Sequence, residues 1–292
     1  MTTTIKPYTE FRFWFKSRFD GTTDVIDPKL SDRVARFETD DADSLAFLDA
    51  VDPDMFTESE IEQMKSEFDE YKASRPESWM RMSGGWLRAI VDGSQNFELP
   101  QIFDGLVRAV NYTECHDDEK AEKLSSRFLD WIHGTDFFTA PASTIYHDSE
   151  ESGLVRHTLK VVAAALDLLN TDHFHEVSQR DAILVALVHD LCKIDFYERY
   201  MKNVKNEQTG VWEKVPAYRC KGSSIPLGHG VTSMFIAQKF FKLSVEQALA
   251  IRWHMGEHNL ADNEAHDLMD ANENYPLVML LQTADRMSIM QK

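Results

Sequence analysis

The strongest constraint on this chain is a pair of adjacent polar residues, His189 and Asp190, that directly follows an uninterrupted apolar run. The run covers residues 183–188 (Ile-Leu-Val-Ala-Leu-Val), and Ser178 with Asp181 three residues later predicts a capped helix start before it. A helix with so continuous an apolar block is buried on most sides. Because two unpartnered polar side chains are costly to bury, a metal ion or a fixed hydrogen-bond network must compensate the pair.

Two further polar residues stand in helical patterns that are otherwise apolar on the same face. His157 lies in the predicted helix over 154–169, and Asp285 lies in the predicted helix over 276–290. Neutral imidazoles and carboxylates suit zinc, iron, manganese or nickel, and a carboxylate with two oxygens can bridge two ions. Helical bundles build metal sites from such residues on several helices that converge in the core.

The pattern after residue 121 predicts an all-α fold. Apolar periodicity and capping residues indicate helices, and no segment alternates with period two. The predicted helices cover residues 121–133, 154–169, 178–188, 232–241, 244–255 and 276–290. We predict an acidic, mostly helical N-terminal region of unknown role over residues 1–120 and a second domain over 121–292.

Composition limits the classes of partner. The formal net charge is −18, which argues against long nucleic acid as a ligand, since such proteins usually carry a basic surface. We find no signal-peptide pattern and no apolar run long enough to span a membrane, and the three cysteines are too few for a disulfide framework. These features predict a cytoplasmic protein without membrane contact. The N-terminal region is a candidate for a protein partner or for self-association.

The order of these histidines and aspartates resembles the HD-domain superfamily of metal-dependent phosphohydrolases over roughly residues 121–292. The superfamily pattern has a His, a His-Asp pair, often two more His, and an Asp. The matching segments here are Gly153-Leu-Val-Arg-His-Thr-Leu, Leu187-Val-His-Asp-Leu-Cys-Lys193, Leu227-Gly-His-Gly230, Arg252-Trp-His-Met-Gly256 and Thr283-Ala-Asp-Arg286. The loop before them, with Ala140-Pro-Ala and Tyr146-His147, is similar to that of HD domains in some 3′–5′ exoribonucleases.

The resemblance implies a role for each matching residue. One divalent ion would be held by His157, His189, Asp190 and Asp285. In two-metal members Asp190 would bridge to a second ion held by His229 and His254. The ions implied are Mn, Fe, Ni, Zn or Mg. Cys192 stands where the family frequently has a glycine, and we assign it no reactive role.

The resemblance favours hydrolysis of a phosphate ester by metal-activated water, with a nucleotide or another small phosphorylated metabolite as substrate. Asp190 and Lys193 are the candidate catalytic residues. The segment 193–221 is locally basic, although a solvated loop is its plainest interpretation. The candidate substrate contacts are Lys193, Arg199, Lys202, Arg219, Lys221 and His147.

Besides an exonuclease, which the loop resemblance allows but the net charge disfavours, two alternatives remain open on the sequence. The same ligand set resembles the di-iron centres of HD-type oxygenases, because iron accepts the same imidazoles and carboxylates. A non-catalytic, metal-stabilised scaffold is the other alternative.

Overall fold

A computed structural model describes residues 83–91, 98–115, 118–146, 148–207, 209–258, 260 and 264–290. Within these residues the chain is mainly helical, with one two-stranded sheet. Most of the predicted acidic, helical N-terminal region, residues 1–82, lies outside the described residues. The helices are α1 (Gly84–Val91), α2 (Leu99–Cys115), α3 (Asp118–His133), α4 (Gly153–Leu169), α5 (Gln179–Val188), α6 (His229–Ala237), α7 (Val245–Trp253), α8 (Ala265–Asn274) and α9 (Pro276–Met290).

Helix α4 forms the centre of the helical unit. Its residues 161–165 are fully buried, and it contacts α1, α2, α5 and α9. A helix that is apolar on nearly every side needs neighbours all round it. Gly84 allows α1 to approach closely, because a Cβ there would collide with the carbonyl oxygen of Ala163. An ion pair between Arg88 and Asp167 joins the same two helices.

The helix starts predicted from capping residues are confirmed. Ser178 Oγ accepts a hydrogen bond of 3.4 Å from the Asp181 backbone N–H at the start of α5. Ser244 and Gln247 form a complete capping box at the start of α7. Pro276 opens α9 at the predicted residue. The Gln247 side chain also donates a 2.7 Å hydrogen bond to Asp181, which ties α7 to α5.

Helices α2 and α3 add an aromatic part to the core. Phe103 on α2 and Phe128 on α3 are fully buried, and their ring centroids lie 6.2 Å apart. Phe137 packs on Phe103 with a centroid separation of 5.0 Å, and Phe241 packs on Phe128 at 4.9 Å. Helices α1 and α2 precede the predicted boundary between residues 120 and 121, and both contact α4. The boundary itself stays a prediction.

The prediction of an all-α fold was wrong for the basic segment, which forms a β-hairpin. Strands β1 (Tyr197–Lys205) and β2 (Trp212–Cys220) pair antiparallel, with Tyr197 opposite Cys220 and Lys205 opposite Trp212. Most side chains of both strands are exposed. A ribbon with solvent on both faces needs no alternation of apolar and polar residues, which is why the sequence pattern did not reveal it.

Helices α6, α7 and α9 all contact α5. Helix α6 contacts α7, α7 contacts α9, and α9 contacts α4. This arrangement brings residues far apart in the sequence to one place in the core. None of the described helices is both long enough and apolar enough to cross a membrane.

Candidate metal centre

The six side chains predicted as metal ligands come together in one cluster. Five of them are buried, and only the His229 side chain, at 35% exposure, is substantially open to solvent. They are His157 on α4, His189 and Asp190 directly after α5, His229 at the start of α6, His254 directly after α7, and Asp285 on α9.

The Asp190 carboxylate lies at the middle of the cluster. Its Oδ2 is 3.3 Å from His189 Nε2 and 3.5 Å from His157 Nε2. Its other oxygen, Oδ1, is 2.8 Å from His229 Nε2 and 3.7 Å from His254 Nε2. The two oxygens of one carboxylate therefore face two different pairs of imidazoles.

The first group of side chains, His157, His189 and Asp285, joins α4, α5 and α9. His157 Nε2 is 3.1 Å from Asp285 Oδ1 and 3.4 Å from His189 Nε2. One ligand atom from each of these three residues lies within 4.8 Å of the others. Imidazole nitrogens and a carboxylate oxygen at such separations can surround a single divalent ion.

The second group of side chains, His229 and His254, contains a buried nitrogen without a hydrogen-bond partner in the described part of the chain. His254 is 2% exposed, and its Nε2 has no hydrogen-bond partner among the described residues. Its ring lies 5.3 Å from the His229 ring and 5.1 Å from the His189 ring, measured between centroids. Because buried polar atoms are nearly always satisfied, this nitrogen indicates that a further partner belongs in the cluster.

The histidine orientations are fixed by the nitrogens that face away from the centre. His189 Nδ1 lies 2.7 Å from the Ala186 carbonyl oxygen, and His254 Nδ1 lies 2.7 Å from that of Ile251. A carbonyl only accepts, so both Nδ1 atoms carry a proton, and in the neutral ring each Nε2 presents a lone pair to the cluster. Metal-binding histidines are commonly held in this way.

Ser288 fixes the orientation of His157 in the same way, through the Nδ1 atom of the imidazole. The sequence interpretation missed this residue. Its hydroxyl donates to the Asp285 carbonyl oxygen at 2.7 Å, and its Oγ lies 3.3 Å from His157 Nδ1. The serine oxygen is therefore the acceptor for the His157 Nδ1 proton. Its position, one turn after Asp285 on the same helix, was the available signal.

Gly230 allows the two histidines of the second group to approach. A Cβ on Gly230 would collide with the carbonyl oxygen of Arg252, so α6 and α7 come closer there than other residues permit. Gly230 directly follows His229, and Arg252 lies two residues before His254. The close approach of the two backbones thus places both imidazoles beside Asp190.

Lys193 is part of the same buried cluster. Its Nζ lies 2.7 Å from Asp190 Oδ2, and its side chain is 13% exposed. Burial opposes the charge on each partner, but their mutual attraction outweighs it. The pKa of Asp190 is well below its usual value, and the pKa of Lys193 is raised. The pair is therefore ionised at neutral pH.

The buried groups around this pair differ in their protonation. Burial lowers the pKa of His189 and favours its neutral form. Burial acts in the same direction on His157, but the carboxylates of Asp190 and Asp285 outweigh it and raise the pKa of that imidazole. Burial also opposes ionisation of Asp285, yet its contact with His157 lowers the pKa of the carboxyl.

Cys192 lies beside the second group and is buried. Its Sγ, an Asp190 oxygen and a His229 nitrogen all lie within 4.8 Å of one another. Its backbone N–H donates a 3.0 Å hydrogen bond to Ser233 Oγ on α6. Burial raises the pKa of the Cys192 thiol to about 12. The sequence interpretation considered this residue only as a replacement for glycine.

The predicted substrate contacts are distributed along the hairpin. Arg199 and Lys202 are exposed on β1, and Lys221 is exposed just after β2. Arg219 forms a 2.6 Å ion pair with Glu198 on the opposite strand. Of the predicted contacts only Lys193 lies in the cluster itself, and His147 falls outside the described residues.

Tyr197 connects the base of the hairpin to the neighbouring loop. Its hydroxyl donates a 3.1 Å hydrogen bond to the Ala142 carbonyl oxygen. Burial raises the pKa of Tyr197 to about 12, so its hydroxyl keeps its proton at neutral pH. The hairpin thus starts close to Lys193 and Asp190, whose charges both act on this tyrosine.

The helical fold of this chain, with imidazoles and carboxylates converging from several helices, is typical of metal-binding helical domains. Residues 154–290 match the family model of the HD domain. This match in the C-terminal part of the chain confirms the resemblance to the HD-domain superfamily. No curated protein and no solved structure is similar enough to be matched with the chain. The HD superfamily consists generally of metal-dependent phosphohydrolases, and its domains bind divalent metal ions.

Proposed function

We propose that this chain is a metal-dependent phosphohydrolase that cleaves the phosphate ester of a nucleotide or another small phosphorylated metabolite. Two divalent ions would be bound. The ligands of the first would be His157, His189, Asp190 and Asp285, and those of the second would be Asp190, His229 and His254.

The observation that carries this proposal is the position of Asp190 between two groups of ligands. Its Oδ2 faces His157 and His189, and its Oδ1 faces His229 and His254. A carboxylate shared between two sites is suited to bridging two cations. The unsatisfied Nε2 of His254 supports occupancy of the second group, because an ion would supply its missing partner.

Divalent ions bound there would activate a water molecule and neutralise charge on the phosphoryl oxygens. The chain itself would orient the reactants. Lys193 holds Asp190 at 2.7 Å, and its ammonium can also contact a phosphate oxygen. Burial of the other ligands excludes bulk water, which strengthens electrostatic interactions in the site.

The substrate would reach the centre from the side of His229. Its side chain is 35% exposed, whereas the side chains of the other five ligands are at most 12% exposed. The hairpin begins four residues after Lys193 and presents exposed basic side chains. Arg199, Lys202 and Lys221 are therefore the candidate contacts for further phosphate or sugar oxygens.

The test is a panel of nucleotides and small phosphate esters assayed with Mn²⁺, Ni²⁺, Mg²⁺, Zn²⁺ or Fe²⁺. The proteins compared are wild type, His189→Ala and a control, His266→Ala, whose exposed imidazole lies outside the cluster. We expect release of phosphate that persists under nitrogen, is lost in His189→Ala and is retained in His266→Ala. Turnover that requires iron and consumes dioxygen would favour the oxygenase alternative. Correctly folded, metal-loaded protein with no turnover on any substrate would favour the scaffold.

A further inference from the structure

Cys192 places a thiol within reach of the second group of metal ligands. We propose that Cys192 supplies a thiolate ligand to the ion held by Asp190, His229 and His254, and that this position selects a thiophilic divalent ion such as Zn²⁺. The inference rests on the metal centre of the proposed function and adds to it a ligand and a preference for one class of ion.

Local backbone geometry holds the thiol beside the cluster. Cys192 lies in a single 3₁₀ turn, Leu191–Lys193, directly after Asp190. Its backbone N–H is anchored to Ser233 Oγ at 3.0 Å, and Ser233 lies on α6 one turn after His229. The same anchor therefore sets the position of the cysteine relative to two of the proposed ligands. The thiol has no part in the hydrolytic scheme above.

An independent feature points to a ligand at the same place. His254 Nε2 is buried and has no hydrogen-bond partner within the described part of the chain. This nitrogen is 3.7 Å from Asp190 Oδ1, the oxygen that His229 Nε2 approaches to 2.8 Å. An unpartnered imidazole nitrogen and a thiol thus flank the same carboxylate group.

The two proposed metal positions differ in their donor atoms. The first group offers only nitrogen and oxygen, which do not discriminate strongly among divalent ions. The second offers one carboxylate oxygen, two imidazole nitrogens and one sulfur, which is a set that zinc accepts. Sulfur ligands favour softer ions over Mg²⁺ and Mn²⁺. Binding of the ion would break the S–H bond of Cys192 and release the proton to solvent, with no change in oxidation state.

X-ray absorption of the full-length protein loaded with Zn²⁺ tests the inference directly. A zinc–sulfur distance is about 2.3 Å, whereas distances to nitrogen and oxygen are about 2.0–2.2 Å. We expect a sulfur shell in the wild type and none in Cys192→Ser. The matched control is Cys220→Ser, which removes an exposed cysteine and should keep the sulfur shell. Circular dichroism and zinc content verify that each variant folds and binds the ion.

The outcomes separate this inference from the proposed function. Zinc bound by wild type through nitrogen and oxygen alone would overturn the role of Cys192 and leave the metal centre intact. A sulfur shell that persists in Cys192→Ser would also overturn it, because the sulfur would come from another residue. Failure of the wild type to bind zinc at all would contradict the metal centre itself. If Cys192→Ser does not fold, the variant Cys115→Ser/Cys220→Ser decides the question, because Cys192 is then the one cysteine left in the sequence and a missing sulfur shell would overturn its role.

Discussion

Replacing Asp190 with asparagine should destabilise the metal-free protein because it leaves Lys193 buried without a counter-charge. The two side chains are 3% and 13% exposed, and the charged atoms are 2.7 Å apart. Removing one partner of a buried ion pair costs about 3–5 kcal/mol. Asparagine has nearly the volume of aspartate, so the substitution creates almost no cavity. The cost in stability therefore reports the lost charge.

The pKa shifts define the pH at which this measurement should be made. The lowered pKa of Asp190 gives stability that is present above its unfolded value and is lost as the pH falls. The raised pKa of Lys193 gives stability that is present below its unfolded value and is lost as the pH rises. Both contributions are complete near pH 7.

The assay is urea unfolding at pH 7 in EDTA, followed by circular dichroism and tryptophan fluorescence. The control is Glu198→Gln, which breaks an ion pair of similar length (2.6 Å) between side chains that are 45% and 62% exposed. An exposed pair contributes only about 0.2–1 kcal/mol. The double variant Asp190→Asn/Lys193→Met should recover most of the lost stability. If Asp190→Asn costs no more than Glu198→Gln, the reasoning is refuted.

Three further predictions concern the metal centre. Gly230→Ala should cost about 1–3 kcal/mol through collision with Arg252 and abolish the second ion in a metal titration, and unchanged stoichiometry would contradict the packing argument. Metal affinity should fall as the pH is lowered from 8 to 6, because the raised pKa of His157 makes the ion displace a proton. Calorimetry in buffers of different ionisation enthalpy should detect that proton, and its absence would argue against the assignment. Free metal at 100 times its dissociation constant should stabilise the fold by about 2.7 kcal/mol, so EDTA should lower the thermal midpoint.

The sequence predicted most of the helices that carry the cluster because their signals are local, but it placed the start of α6 at residue 232, after His229. Ser178 and Ser244 mark helix starts through side-chain hydrogen bonds within four residues, and the apolar run over 183–188 requires burial wherever the chain folds. Helix α8 was not predicted, because Leu268 and Ala271 are its only buried residues and its pattern is polar. Its place in the fold depends on contact with α9, which a local pattern does not contain.

The cluster could be predicted in its members but not in its arrangement. His157 and Asp285 stood out as polar residues on apolar helical faces, and the order of the motifs grouped them with His189 and Asp190. That the two oxygens of Asp190 face different pairs of imidazoles follows from tertiary distances, which a sequence pattern does not contain. Ser288 was missed and Cys192 was given no ligand role, because the contacts of both residues in the cluster are with side chains distant in sequence.

Diffraction from crystals soaked in Mn²⁺, recorded at a wavelength where manganese scatters anomalously, tests the central claim most directly. We expect an anomalous peak within coordination distance of Asp190 Oδ2 and the first group, and a weaker second peak beside Asp190 Oδ1, because the Cys192 sulfur favours softer ions than manganese. Manganese bound only elsewhere on the protein, with His157, His189 and Asp285 contacting no ion, would contradict the account.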